Sequence, residues 1–214
     1  MTSKKDGNKV AKKKKFQIRI ITLGDNKVGK TSLINRYVDH KFSPNYLNTV
    51  GIDIKMKEKK LENGEEIRVI FSDTTGQEKY NSLASNYIKK ADGILLVYDI
   101  TDKDTFEGIQ KWEESINEES GNDKPIVLIG NKTDLTDKRK INTENGKDFA
   151  KTFGDGIKFY ETSCKTGENV EEAINDLIKQ IYEKSKGIEP VEIMSSINIR
   201  IMPKNRGKKK KSFC

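Results

Sequence analysis

The run Gly24-Asp25-Asn26-Lys27-Val28-Gly29-Lys30-Thr31 fits the pattern G-x-x-x-x-G-K-[ST], and few folds can present it. An apolar stretch, Phe16 to Leu23, leads into it, and the helical-looking Ser32-Leu33-Ile34-Asn35-Arg36-Tyr37 follows. The chain must therefore run as a strand, turn tightly and re-enter as a helix. Glycines let the backbone curl so that successive N–H groups point at phosphate oxygens. In such a loop Lys30 reaches the β- and γ-phosphates, and the Thr31 hydroxyl can ligate Mg²⁺.

The rest of the body repeats the strand-and-helix alternation. Ile67 to Phe71, Gly93 to Ile100, Pro125 to Ile129 and Ile157 to Tyr160 are short, rich in Ile, Val and Leu, and bounded by Gly, Asp or Asn, as buried parallel strands are. Val50, Ile52, Ile54 and Met56 instead alternate with polar residues, which predicts a half-exposed strand. Asn63-Gly64 then marks a hairpin that sets this strand antiparallel to Ile67–Phe71. Helical spacing appears in Phe106, Ile109, Trp112 and Ile116, and in Val170, Ile174, Leu177, Ile178 and Ile181. These elements predict an α/β fold of the P-loop type. It has a six-stranded, mostly parallel sheet with one antiparallel edge strand and helices on both faces. Ligands in such sheets bind beyond the carboxyl ends of the strands.

Charge divides the chain into three parts. Met1 to Lys15 holds seven lysines and one aspartate, a net +6, and Arg200 to Cys214 holds seven basic residues and no acid, +7. The total of +8 leaves the body, Phe16 to Ile199, at −5. An acidic body with cationic ends points to tails acting on a polyanion or a membrane surface rather than to a nucleic-acid-binding face. The organisation expected is a basic N-terminal tail over 1–15, one nucleotide-binding domain over 16–186 and a flexible basic tail over 187–214. Two cysteines cannot build a disulfide scaffold, and an intracellular, cytoplasmic protein is expected. No window approaches the roughly 18 apolar residues of a membrane span, and no apolar run makes the N-terminus a signal peptide.

Two more clusters sit at predicted strand ends. Asn131-Lys132-Thr133-Asp134 follows Pro125–Ile129, where the Asp134 carboxylate can accept two N–H bonds from the guanine edge that adenine cannot supply. Asp73-Thr74-Thr75-Gly76-Gln77 follows Ile67–Phe71. It sets a carboxylate by the Mg²⁺ site, the Gly76 N–H at the γ-phosphate and a glutamine able to orient a water.

With these motifs in order, the chain resembles the small GTPases of the Ras superfamily, most closely the Rab family, over roughly Phe16 to Lys184. Asp73 to Glu78, Leu96-Val97-Tyr98-Asp99-Ile100-Thr101, Val50-Gly51-Ile52-Asp53 and Glu161 to Val170 carry the likeness beyond the phosphate loop. The resemblance implies a GTP/GDP-regulated switch in vesicle and membrane trafficking, with Mg²⁺ as cofactor. It implies that Asn26, Lys27, Val28, Gly29, Lys30, Thr31 and Ser32 follow the phosphates, that Thr31, Thr49 and Asp73 serve the metal, and that Gln77 is catalytic. Asn131, Lys132 and Asp134 would read guanine, and Ser163, Cys164 and Lys165 would close over it, the Cys164 side chain itself being a small buried filler. Phe42 would stack edge-on to the base or, alternatively, pack in the body. Implied partners are an exchange factor, a GTPase-activating protein, effectors through both switches, and a chaperone of the Rab escort or GDP-dissociation-inhibitor type.

The chain departs from the family in places that bear on rate and recognition. No arginine lies between Arg36 and Arg68, so the first switch carries no finger in cis, and slow intrinsic hydrolysis awaiting a partner is expected. Asn26 stands where Gly, Ser or Ala is usual, and Thr75 where Ala is usual. Either these slow hydrolysis further and bias the chain to its GTP state, or both point to solvent. A GTP-binding scaffold with negligible hydrolysis is the competing function. The three aromatics that the family presents to effectors correspond to Ile54, Ser72 and Tyr87, so only one survives.

The tail 187–214 ends Lys208-Lys209-Lys210-Lys211-Ser212-Phe213-Cys214. It has no C-a-a-X box, and single prenylation at Cys214 by the Rab-specific route is expected, against an unmodified thiol on a soluble tail. One lipid chain anchors marginally, so the basic residues would add the second signal on the cytosolic face of an intracellular membrane. No aromatic stacking set accompanies the basic tails, so no specific nucleic-acid partner is expected.

Overall fold

The computed structural model describes residues 15–44, 49, 51–74, 81–120, 123–154 and 156–186, with the side chains of 81–84 left aside. The tails 1–14 and 187–214 lie outside these residues, and so do Thr75, Gly76, Gln77 and Cys214. Among the described residues there are thirteen helices and strands, one of them a short 3₁₀ turn, Thr136–Lys138.

Strand β1 (Phe16–Leu23) leads into helix α1 (Lys30–Asp39), then the hairpin β2 (Ile52–Lys60) and β3 (Glu66–Thr74), helix α2 (Asn81–Lys90) and β4 (Gly93–Asp99). Helices α3 (Lys103–Glu107) and α4 (Ile109–Ser120), strand β5 (Ile126–Asn131), α5 (Thr143–Phe153), β6 (Lys158–Thr162) and α6 (Val170–Ser185) complete the domain. The sheet order is β2-β3-β1-β4-β5-β6, with β2 antiparallel to β3 and every other pairing parallel. The predicted six strands and antiparallel edge are thus observed.

Both faces are covered, which is why the central strands are apolar on both sides. One core joins Ile18, Ile20, Leu95, Val97 and Ile129 to Leu33 and Tyr37 of α1 and to Ile174, Leu177 and Ile178 of α6. The other joins Ile21, Leu23, Leu96 and Leu128 to Ile88 of α2, to Ile109, Trp112 and Ile116 of α4, and to Ala150 of α5. All seven residues of β4 are buried. β1 lies in the middle of the order, where the chain turns to opposite edges of the sheet, so its carboxyl end is the crevice that open α/β sheets offer to ligands.

Three details differ from the sequence pattern. The Asn63-Gly64 hairpin is closed by the Leu61 N–H donating to the Glu65 carbonyl at 2.8 Å, leaving a three-residue loop with Gly64 at φ 84°. On β2 the apolar side chains face outward: Ile54 is 46% and Met56 60% exposed. Lys55 and Lys57 lie on the inner side instead, Lys55 paired with Asp39 at 2.6 Å and Lys57 over the Tyr37 ring at 4.3 Å. Their long stems cover α1 and their ammonium groups reach carboxylate, carbonyl or ring, so alternation alone could not tell which face was inner. Finally, the Phe106–Ile116 periodicity is broken at Gly108 into α3 and α4.

Helix α2 is held at its carboxyl end by Lys124, two residues before β5. The Lys124 ammonium donates to the carbonyls of Ile88, Lys89 and Ala91, a cation placed on the negative end of the helix.

Candidate functional site

Gly24 to Lys30 leaves β1 and wraps back on itself because two glycines permit close approach. A Cβ on Gly24 would lie 2.0 Å from the Val97 carbonyl oxygen of β4, and Gly24 has φ +132°. A Cβ on Gly29 would lie 2.2 Å from Asn131 Nδ2, and Gly29 has φ +104°. Either side chain would push the loop out of the crevice. Lys27 also takes a left-handed φ of 64°, and Val28 is fully buried as the inner peg of the loop. Asn26 is half-buried and Ser32 lies in the first turn of α1.

Lys30 is the charge at the centre of this loop. Only 4% exposed, its ammonium donates to the carbonyls of Gly24 at 2.8 Å and Asp25 at 2.7 Å. Burial pushes its pKa down to about 8, with Asp73 and Asp25 opposing the shift. A buried cation whose direct partners are neutral carbonyls is an incomplete electrostatic arrangement, and an anion at the loop completes it.

The three residues expected to hold a metal are brought together. The Thr31 hydroxyl donates to Asp73 Oδ2 at 2.7 Å and lies 2.9 Å from the Thr49 hydroxyl. Asp73 is buried, and desolvation raises its pKa while hydrogen bonds from Thr31 and Thr22 and the charge of Lys30 oppose the rise. Two hydroxyls and one carboxylate are hard oxygen donors, few in number and leaving room for waters and phosphate oxygens. That fits Mg²⁺, which keeps much of its hydration.

The far end of the crevice is built by β5 and β6. Asn131 ends β5, its amide donating to the Val28 carbonyl at 2.8 Å while its oxygen accepts from Thr162 at 3.1 Å. It therefore clamps the phosphate loop to two strands. Lys132 adopts φ 76° and its ammonium pairs with Asp99 Oδ2 at 2.6 Å. Asp134 is oriented by the Ser163 hydroxyl, which donates to its Oδ1 at 2.6 Å, and by Lys165 at 3.8 Å. Cys164 is 3% exposed, its thiol 3.3 Å from Asn131 Oδ1 and pushed up to about 12 by burial, so it fills space and carries no thiolate. Phe42 is 37% exposed on the wall of an open groove with Arg36, His40 and Lys55, outside both cores.

Two contributors were not singled out from sequence. Arg36 donates from Nε to the Cys164 carbonyl at 2.7 Å and from Nη2 to the Lys165 carbonyl at 2.6 Å, fixing the Ser163–Lys165 loop against α1. Asp99 anchors Lys132 and accepts from the Thr101 N–H at 2.8 Å. The sequence signal for Asp99 is its place as the acid that ends a wholly apolar strand. Arg36 has none beyond lying in the last turn of α1. Of the predicted residues, Gly76, Gln77 and Cys214 are not among those described; hydrogen bonds and ion pairs join Thr31, Thr49 and Asp73 at one end and Asn131, Asp134, Ser163 and Lys165 at the other, while Phe42 stands on a separate open groove. In the register of the β2–β3 hairpin Ile54 faces Ser72, and Ser72 is buried while Tyr87 is half-buried on α2.

Comparison with known proteins agrees with this geometry. The chain matches the family model described as Ras family over residues 19–183. It is similar to Ras-related protein Rab-1D of Dictyostelium discoideum, 34% identical over 93% of this chain and 96% of that one. Ras-related protein Rab-13 of Mesocricetus auratus is 41% identical over 79% of this chain and 82% of its own. Ras-related protein Rab-12 of Rattus norvegicus is 39% identical over 85% and 72%.

Proposed function

The chain belongs to the Ras family of small GTPases, among its Rab proteins, and from that premise we propose that it is a membrane-cycling switch in vesicle trafficking. As a family member it binds GTP and GDP with Mg²⁺ and hydrolyses GTP to GDP and phosphate. The observation that carries the switch reading is the cluster of Thr31, Thr49 and Asp73. A residue from the 40–50 segment touches the phosphate-loop threonine, so this segment can sense what the loop holds.

The residues divide the work as follows. The loop from Asn26 to Ser32 cradles the phosphates, Lys30 neutralises them, and Thr31, Thr49 and Asp73 hold the metal. Mg²⁺, when bound, neutralises charge that develops on the phosphate oxygens. Asp134 accepts from the guanine edge, Lys132 lies alongside the base, Ser163 to Lys165 close over it, and Phe42 stacks on its exposed side. Gly76 binds the γ-phosphate and Gln77 orients the attacking water. With no arginine between Arg36 and Arg68, intrinsic turnover is slow, and a partner supplying that charge gains about 10³–10⁵ in rate. Asn26 and Thr75 slow it further, which favours long occupancy of the GTP state.

The GTPase domain, 16–186, is flanked by the basic tails 1–15 and 187–214, and among the described residues no helix is long and apolar enough to cross a membrane. Attachment to the cytosolic face of an intracellular membrane then rests on one prenyl group at Cys214 and the basic residues before it. Exchange factor, activating protein, effectors and a lipid-binding chaperone follow as partners. Ile54, exposed, and the buried Ser72 stand where the family presents aromatics, with Tyr87 alone kept, so the effector surface differs from that of such relatives. Intact mass of the protein from its native cell tests the membrane half of this reading. The expected result is the chain plus one isoprenoid at Cys214, and an unmodified thiol overturns it.

A further inference from the structure

Asp25 lies inside the phosphate loop, yet its carboxylate is used on the side away from the crevice. The Trp112 indole N–H donates to Asp25 Oδ1 at 2.9 Å. Asp25 Oδ2 sits where a Cβ on Gly108 would come within 2.4 Å, so the carboxylate occupies the break between α3 and α4. Trp112 is 8% exposed, and a buried indole that spends its one donor on a carboxylate makes a charge-assisted bond of fixed direction. The backbone carbonyl of the same Asp25 accepts from the Lys30 ammonium at 2.7 Å. One residue thus links the cation that meets the phosphates to helix α4.

Helix α4 carries this link further. Trp112, Ile116 and Glu119 are spaced four and three residues apart and share one face. Ile116 is buried, and Glu119 pairs with Lys89 of α2 at 2.8 Å. α4 therefore touches the phosphate loop near its start and α2, the helix after the 75–80 segment, near its end. The helix break at Gly108 is where the Asp25 carboxylate lodges, and Gly108 has φ −60°, so the backbone there does not need glycine. What needs glycine is the space.

We propose that Trp112 and Gly108 are positioning residues for the phosphate loop, holding Asp25 from the α4 side so that its carbonyl keeps Lys30 aimed at the nucleotide. Nucleotide release is then set partly from α4, and a partner that shifts α2 or α4 changes the release rate without touching the nucleotide. The inference rests on the phosphate-loop reading above.

Three substitutions test it on the full chain loaded with fluorescent GDP. Trp112→Phe keeps the ring and removes the donor, Asp25→Ala removes the acceptor, and Gly108→Ala presses a methyl on Asp25 with no change at Trp112. Each is expected to speed GDP release roughly five- to tenfold, the scale of one charge-assisted hydrogen bond partly transmitted to the site. The Trp112→Phe, Asp25→Ala double variant is expected to be no faster than the quicker single. Ile116→Val, which loosens the same helix face, leaves release within about twofold of the parent. Trp112 is the only tryptophan, so the chain has one indole N–H resonance. In Asp25→Ala it is expected to move upfield and lose exchange protection. Release within about twofold of the parent for Trp112→Phe and Gly108→Ala, multiplying effects in the double variant, or an unmoved resonance overturns the proposal. Failure of the parent itself to retain GDP would instead overturn the phosphate-loop reading.

Discussion

Lys30→Ala is expected to weaken GDP and GTP binding by about 10²–10⁴-fold, measured by displacement of a fluorescent nucleotide. Hydrogen bonds to charged groups contribute about 1.5–3 kcal/mol each, and Lys30 is read as making two to the phosphates. The same change strips the Gly24 and Asp25 carbonyls of their donor, so the loop loses shape as well as charge. Parent affinity carries a pH signature of this lysine. Burial lowers its pKa to about 8, so Lys30 is charged below pH 8 at a stability cost that is full there and fades as pH rises from 8 toward the ordinary lysine value. Phosphate needs the charged form. Between pH 7 and pH 9 the protonated fraction of the free protein falls about tenfold, and affinity is expected to fall with it. A flat profile would mean that Lys30 meets no anion.

Asp134→Asn is expected to cost guanine nucleotides about 10²–10⁴-fold while leaving the phosphate loop intact, because two N–H bonds to a carboxylate are lost. The Ser163 hydroxyl donates to Asp134 Oδ1 at 2.6 Å and would orient the amide with its oxygen toward Ser163 and its NH₂ toward the base. Donor then faces donor on guanine. A base with a carbonyl in place of the guanine amino group, xanthine, is expected to bind the variant better than guanine does. Equal loss for both bases would place the base elsewhere in the crevice.

The crevice was largely legible in the sequence because its chemistry sits at strand ends, where the apolar period stops and the residues that follow owe nothing to the core. The phosphate loop, Asp73 and Asn131–Asp134 are of that kind, and each falls at the carboxyl end of a strand. Residues that act across the fold were not legible. Arg36 braces Cys164 and Lys165, and Asp25 meets Trp112, over sequence distances that no local pattern spans. The helix break at Gly108 was hidden for the same reason, since the space it leaves is filled by a distant carboxylate. On β2 alternation located the strand but not its inner face, because lysine stems can cover a core surface while apolar Ile54 and Met56 stand in water. The N-terminal +6 has no account in the described residues beyond Lys15, which pairs with Glu58 and Glu66.

Single-turnover GTP hydrolysis by the purified, Mg²⁺-loaded chain tests the central claim most directly, that this is a slow switch awaiting a partner. Complete but slow conversion, on the order of 10⁻⁴ to 10⁻³ per second or below, is predicted, with Asn26→Gly and Thr75→Ala both faster than the parent. Turnover of about one per second without a partner would contradict it, and so would a GTP complex that releases no phosphate at all.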